Sequence, residues 1–514
     1  MSKFVKGTLI LLAAGFFTRI LGFINRIAIA RFIGEEGVGL YMISYPTFIL
    51  AVTLTQMGLP VAISKRVAEA EAIGETGKVK KILVVSLMIT LSLSAIFTPA
   101  LFFGAPLIAN TFFTDHRTMY PLIAIAPVVP IIAVSSVIRG YFQGKQNMKP
   151  AAISQFIEQS IRIVFIIILA NYFLPYGVEW AAAAVMVATI IGELVSLLYL
   201  ITMFKLRKAF RLRKRFFLSL KGSKGVFRDL MSIALPTMGS RMIGSVSWFL
   251  EPIVVTQSLA IAGLSAVTAT KLYGALTGFA MPLLLLPSFI TIAISTTLVP
   301  AISEAYSLRQ YAVVEKRLVQ SIKFCILTGA LSLGILYVLA GPLMNFLYHS
   351  SSGTEFIKLM APFFVLQYLQ SPLQAALQAL DLARAAMFNS LIGNTVKLVV
   401  IFVLASKPEF GINGVVLAMI IGFVLVTFLH YATLLKVIPI TFYLRYYIKT
   451  FIAIGIMIFT GEWLMQHLSH VLSSLSLIVT ITFAMGAIFI LSLNFLKVME
   501  FKDIKRFLSI IPKG

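Results

Sequence analysis

Acidic residues are scarce in this sequence. Asp and Glu together number 19 against 43 Lys and Arg in 514 residues, so a cavity selecting cationic substrates has few carboxylates to draw on. Cysteine is rarer still: the single Cys325 permits no intrachain disulfide and argues against redox chemistry. The five histidines, among them His116, His349, His467 and His470, read as residues in or near outer loops. They lack a second ligand at metal spacing and a partner acid four residues on. No glycine-rich phosphate loop follows a strand, and no polar segment is long enough for a nucleotide-hydrolysing domain. These absences argue against a metal centre, a catalytic constellation and an ATP-driven engine. No cofactor is expected, and energy would come from an ion gradient, the membrane potential or downstream consumption.

What the chain has instead is apolar length. With 59% hydrophobic and only 12% charged residues, it is too apolar for a soluble globular protein of this size. A net charge of +24 would suggest nucleic acid in a soluble protein. Here the basic residues fall in short connections between apolar runs, as the positive-inside bias predicts, and no nucleic-acid partner is needed. The opening "MSKFVKGTLILLAAGFF" has the charged and apolar parts of a signal peptide. No small-residue cleavage site follows and the run continues past residue 26, so it is expected to remain as the first span.

At roughly 20 apolar residues per crossing, about fourteen spans are expected: 8–32, 41–63, 80–103, 118–141, 151–173, 179–203, 230–257, 272–301, 318–340, 356–379, 385–405, 412–435, 443–465 and 473–496. All must be helical, because hydrocarbon leaves unpaired backbone groups without partners and nothing alternates as a barrel strand would. The fold class is therefore an all-α polytopic membrane protein. An even number of spans puts both termini on one side. Lys3, Lys6, Lys65, Arg66, Lys78, Lys80, Lys81, Arg139, Lys145 and Lys149 fall on the side assigned to the cytoplasm, with the run "KLRKAFRLRKRFFLSLKGSKGVFRD" at 205–229 and the tail "KVMEFKDIKRF". Opposite stand scattered Arg117, Lys271, Lys358 and Lys407 beside the acidic "GEEG" at 34–37. The expected location is the bacterial cytoplasmic membrane with both termini inside. The basic run either anchors topology between two halves or lies as an amphipathic helix on anionic lipid.

The halves repeat. "RGYFQGKQNMKPAAISQFIEQSIRIVF" at 139–165 aligns without a gap to "QAALQALDLARAAMFNSLIGNTVKLVV" at 374–400, placing Arg162 on Lys397. "TRILGF" at 18–23 matches "SRMIGS" at 240–245, pairing Arg19 with Arg241, and "GLPVAIS" at 58–64 echoes "LVPAIS" at 298–303. The expected organisation is an N-lobe of six spans at 1–203, a basic linker at 204–229, a second six-span lobe at 230–436, and two further spans with a basic tail at 437–514. Parallel repeats of this kind are related by an axis along the membrane normal and enclose a central cavity in alternating-access transporters.

Arginine inside a span needs a reason, since a charge at the bilayer centre costs about 2.5–3.5 kcal/mol on insertion scales. At about 100° per residue, Gly15, Arg19, Gly22 and Arg26 fall on one narrow stripe of the first helix, with Arg31 well off it. The seventh helix carries a matching stripe of Thr237, Arg241, Gly244 and Trp248. Two bland readings compete with a wet, anion-binding one: pairing with acids and snorkelling to headgroups. Snorkelling suits Arg31. The candidate intramembrane acids are Glu158, Glu193 and Glu251, which are also the candidate coupling acids, and Glu158 has Arg162 four residues on as a partner. Cations outnumber acids, so Arg19, Arg26, Arg241, Arg162 and Lys397 are the candidate cavity cations. Guanidinium suits phosphate through bidentate hydrogen bonding. Gln155, Glu158, Gln159 and Arg162 recur along the fifth helix, with Asn389, Gly393, Asn394 and Lys397 opposite in the eleventh. These polar groups either hydrogen-bond a glycan or join helices together.

Two six-helix lobes, "TRILGFINRIAIARFIGEEGVGLY" at 18–41, "STTLVPAISEA" at 295–305 and two extra C-terminal helices together resemble the polysaccharide-transport branch of the multidrug/oligosaccharidyl-lipid/polysaccharide exporter superfamily, relatives of the lipid II flippases. The resemblance implies a non-enzymatic flippase for an undecaprenyl-pyrophosphate-linked peptidoglycan precursor. It implies service to spore cortex synthesis, cell-wall synthases as partners, a monomeric state, and a prenyl-tail groove formed by 443–465 and 473–496. In that family first-helix arginines line the cavity, a pattern Arg19 matches. Where the family has an Arg-Asp pair this chain reads Asn25 and Arg26, and it lacks the second-helix arginine between Tyr41 and Ile63. Rival expectations are a cationic-drug antiporter, which the arginine stripe argues against, and a glycan-assembling membrane enzyme or scaffold. The enzyme calls for a larger outer loop than "NTFFTDHRTM" or "YHSSSGTEF".

Overall fold

A computed structural model describes residues 3–207, 224–441 and 443–498. Most of the basic linker, at 208–223, and the tail from 499 lie outside the described residues. The described elements are helical: α1 (Lys3–Gln56), α2 (Leu59–Ala72), α3 (Thr76–Thr111), α4 (Met119–Ile125), α5 (Val128–Gly144), α6 (Lys149–Phe173), α7 (Val178–Arg207), α8 (Lys224–Ile261), α9 (Ala266–Gly274), α10 (Met281–Leu285), α11 (Ser288–Ser307), α12 (Tyr311–Val338), α13 (Ala340–Tyr348), α14 (Thr354–Ala379), α15 (Ala383–Ala405), α16 (Gly411–Leu435), α17 (Leu444–Leu468) and α18 (Ser474–Phe495).

The expected connection at 33–40 between the first two spans does not exist as a loop. Helix runs on both sides of Gly34, and this one residue turns the chain at φ 65° and ψ −175°, a conformation glycine adopts without a Cβ penalty. The second helical run stops at Gln56, where Met57 (φ 48°) and Gly58 (φ 69°) are both left-handed. Residues 41–63 are therefore two helices. Likewise the expected span 272–301 is a broken element, α9, a π-helical turn at Ala275–Ala280 and α10, followed by α11. α4 and α5 meet at 43°, where Pro127 interrupts the backbone ladder. Among the described residues ten helices are long and apolar enough to cross a membrane, or eleven if that bent pair is one span. This does not reach the expected fourteen. One reason is that Phe17–Ala72, 56 residues and about 84 Å of helix, counts once although a bilayer core is about 30 Å thick.

The chain divides into two compact units, Met1–Gly278 with Leu398–Val415, and Phe279–Lys397 with Val416–Gly514. In the first, Leu59, Ile63 and Val67 of α2 pack with Ile82 of α3, Tyr141 and Phe142 of α5, Leu200 of α7 and Leu230 of α8. In the second, Ile302, Leu318, Ile322, Cys325 and Leu373 join α11, α12 and α14. A separate cluster there sets Met457 of α17 and Ile481 and Met485 of α18 against α12. Close approach of backbones locks the first unit. A Cβ on Gly39 would fall on the Thr270 carbonyl oxygen, one on Gly274 on the Glu35 carbonyl oxygen, and one on Gly58 would sit 2.5 Å from the Ala234 carbonyl oxygen. Small residues at such contacts let membrane helices pack backbone to backbone.

Candidate functional site

Two sets of charges stand inside the first unit, and they differ in whether the fold neutralises them. The neutralised set lies on α5, α6 and α7. Arg162 Nη2 donates to Glu158 Oε1 at 2.7 Å, as the four-residue spacing predicts, and Arg139 Nη2 donates to Glu158 Oε2 at 3.0 Å and to Ser196 Oγ at 3.0 Å. Glu193 Oε2 lies 3.6 Å from the same Arg139 nitrogen. Gln159 Nε2 donates to Glu158 Oε1 at 3.3 Å. Glu158 and Glu193 are buried and both guanidinium groups largely so, giving two cations balanced by two carboxylates.

Arg139 stands more than a turn before the end of α5 at Gly144, where it meets acids of two other helices, a pairing the sequence reading did not contain. Tyr41 and Tyr45 of α1 lie within electrostatic reach of Arg162 and Arg26, which ties the quartet to the first-helix stripe. Neither tyrosine nor Ser196 stood out in sequence, because nothing in one helix's periodicity reveals what a neighbouring helix places opposite it.

The second set is Arg19, Arg26 and Arg241. Arg19 and Arg241 are exposed and Arg26 half-buried. Among the described residues none of the three forms an ion pair with an acid. Arg19 is sixteen residues into α1 and Arg241 seventeen into α8, about 24–26 Å from the helix starts, so neither is an end residue. The glycines of their stripes face open space: a Cβ on Gly22 or Gly244 would meet nothing within 4 Å. α8 touches the run of α1 that follows the Gly34 turn, through Thr53 Oγ1 and Ser245 Oγ at 3.0 Å and through the rings of Tyr45 and Trp248.

Glu251, buried on α8, lies within electrostatic reach of Tyr273. Gln155 is half-buried on α6. Lys397 and Asn394 belong to α15 in the other unit, both half-buried, with the Lys397 stem against Gly422 of α16. Beside them on α15, Asn389 Nδ2 donates to Thr433 Oγ1 at 2.9 Å and lies 3.3 Å from His430 Nδ1. His430 corrects the reading of the histidines as outer-loop residues: it is buried within α16, 1% exposed.

Where α1 resumes after Gly34, a polar network joins it to the loop before α4 and to α9. Arg117 pairs with Glu36 and, at 2.8 Å, with Asp115 Oδ2. Thr270 Oγ1 donates to Asp115 Oδ2 at 3.0 Å, and Lys271 Nζ stands 3.7 Å from Glu35 Oε2. Burial pushes the Asp115 carboxyl up, but the hydrogen bonds and charge of Arg117, with Thr270, outweigh it and hold the group below its ordinary value.

Comparison with known proteins sets this geometry in context. Residues 4–306 match the family model described as "Polysaccharide biosynthesis protein". The chain is 59% identical over 466 residues to Stage V sporulation protein B of Bacillus subtilis (strain 168), covering 91% of this chain and 90% of that protein. It is 25% identical over 455 residues to Lipid II flippase MurJ of the same organism, covering 82% and 81%. A solved structure of Lipid II flippase MurJ in an inward closed conformation superposes with a TM-score of 0.67 at 17% identity, covering 96% of this chain and 99% of that one.

Proposed function

Because the chain belongs to the polysaccharide biosynthesis protein family and is a multi-pass membrane transporter rather than an enzyme, we propose that it flips a lipid-linked glycan across the bacterial cytoplasmic membrane by alternating access. The cargo is an undecaprenyl-pyrophosphate-linked peptidoglycan precursor destined for spore cortex. Support for the compartment and cargo comes from the names of the two relatives, one a sporulation protein and one a lipid II flippase. The observation that carries the reading is the contrast between the two charge sets. Arg139 and Arg162 are offset by Glu158 and Glu193, whereas among the described residues Arg19, Arg26 and Arg241 form no ion pair with an acid and leave positive charge on α1 and α8. Guanidinium groups in a partly desolvated site bind phosphate oxygens in pairs and offset the penalty of taking a pyrophosphate out of water.

In this reading Gln155 and Gln159 hydrogen-bond the glycan. Glu193 is the acid best suited to a coupling cation, since Glu158 already accepts from two guanidinium groups. α17 and α18 carry the prenyl tail, both termini are cytoplasmic, and the protein works as a monomer near cell-wall synthases. The test is reconstitution into liposomes with a fluorescent undecaprenyl-pyrophosphate-linked disaccharide, scoring headgroup accessibility on each side. Accelerated exchange that disappears in Arg19→Ala and Arg241→Ala is expected. Exchange no faster than in protein-free liposomes would overturn the proposal.

A further inference from the structure

Three tryptophans occur in the chain, and two sit where membrane proteins ordinarily keep them. Trp180 lies at the start of α7 and Trp463 near the end of α17, in keeping with aromatic belts at headgroup level. Trp248 is elsewhere. It stands thirteen residues, about 20 Å, short of the end of the 38-residue α8, away from either helix end.

One side of it packs against other aromatic rings. The indole meets the Tyr45 ring at 5.8 Å between centroids and 66° between planes, an edge-to-face contact. Tyr45 is itself braced by Tyr41 at 5.3 Å and Phe48 at 5.5 Å, and both of these are buried. The platform is therefore rigid on one side. On the other, 38% of Trp248 is exposed, and one turn back along the same stripe the open space at Gly244 and then the exposed Arg241 follow. Tyr45 lies within electrostatic reach of Arg26, and Arg241 stands about two turns back along α8 from Trp248.

A braced aromatic face on the same helix stripe as Arg241, which forms no ion pair with an acid among the described residues, fits a ligand that is apolar on one face and anionic at one end. A pyranose joined to a pyrophosphate has that shape: its C–H face stacks on the electron-rich face of an indole, and its phosphates reach the arginines. We propose that Trp248, braced by Tyr45, is the stacking platform for a sugar ring of the glycan, with Arg26 and Arg241 taking the adjoining phosphates. This rests on the lipid-linked-glycan reading above and adds the residue that distinguishes a sugar-bearing lipid from a bare one.

The experiment is equilibrium binding to the full-length protein in nanodiscs, using two radiolabelled probes: an undecaprenyl-pyrophosphate-linked disaccharide and undecaprenyl pyrophosphate without sugar. Trp248→Leu keeps an apolar side chain but removes the aromatic face, and Trp248→Phe keeps a smaller one. Wild type is expected to prefer the sugar-bearing probe. Trp248→Leu is expected to bind that probe about tenfold more weakly with affinity for the bare probe unchanged, while Trp248→Phe stays within about threefold of wild type. Equal weakening on both probes, or no change on either, overturns the platform and leaves the cargo reading standing. So does a wild type that binds the two probes alike. Failure of wild type to bind either probe overturns the cargo reading and the platform with it.

Discussion

Arg139 and Arg162, on neighbouring helices, share the carboxylate of Glu158: one guanidinium donates to Oε2 at 3.0 Å and the other to Oε1 at 2.7 Å. Removing that carboxylate leaves two largely buried cations facing each other with only Glu193 between them. Glu158→Ala is expected to cost about 3–5 kcal/mol, seen as a lowered thermal midpoint of the purified protein and reduced accumulation. Combining it with Arg162→Leu should recover part of the loss, because the pair goes together. A single variant as stable as wild type would show that the quartet does not hold α5, α6 and α7 in register.

Arg19 and Arg241 are predicted to behave in the opposite way. Neither is paired with an acid among the described residues, so Arg19→Ala and Arg241→Ala should accumulate and melt like wild type. Each loses a charge-assisted contact to phosphate, about 1.5–3 kcal/mol, and transport in proteoliposomes should drop by ten- to about a hundredfold. Arg31→Ala, off the stripe and near the Gly34 break, should transport within about twofold of wild type by the same assay. Unimpaired transport by both stripe variants would remove the anion-binding role.

Glycine substitutions give a second contrast. Gly244→Ala adds a methyl where nothing lies within 4 Å and should leave the melting temperature unchanged or slightly higher, since alanine favours the helix. Gly274→Ala drives a methyl onto the Glu35 carbonyl oxygen and the Gly39 backbone. It should destabilise by about 1–3 kcal/mol, measured by thermal unfolding in detergent. Equal melting temperatures for the two would show that the α1 to α9 approach is not constrained.

The Asp115 network makes a pH-dependent prediction. Its carboxyl is held below its ordinary value by Arg117 and Thr270. Its stabilising contribution is therefore complete above the ordinary carboxylate pKa of about 3.9 and fades as pH falls through the lower folded value. Asp115→Asn should melt below wild type at pH 7, and the gap should narrow as pH falls below about 3.9. A gap that does not narrow with falling pH would show that packing rather than ionisation is lost.

Much of the architecture follows from the residue pattern alone. Apolar runs of bilayer length impose helices, because hydrocarbon satisfies no backbone group, and the 100° repeat puts Arg19 and Arg26, or Arg241 and Trp248, on one stripe whatever surrounds them. The Arg162 and Glu158 pair was legible for the same reason, since four residues along a helix bring two side chains together.

What one helix meets on another was not legible. Arg139 reads as one more basic residue until the packing of α5 against α6 and α7 sets it on Glu158 and Glu193. His430 reads as peripheral until α16 buries it against Asn389, and Gly34 reads as a loop residue until a single positive φ turns the chain. These depend on contacts between residues far apart in sequence, which periodicity does not encode. Composition and spacing thus determined that this chain is a helical, multi-pass membrane protein with arginine stripes. Only tertiary packing decided which arginines are cancelled by carboxylates and which stay exposed, because charge compensation is a property of neighbours in space.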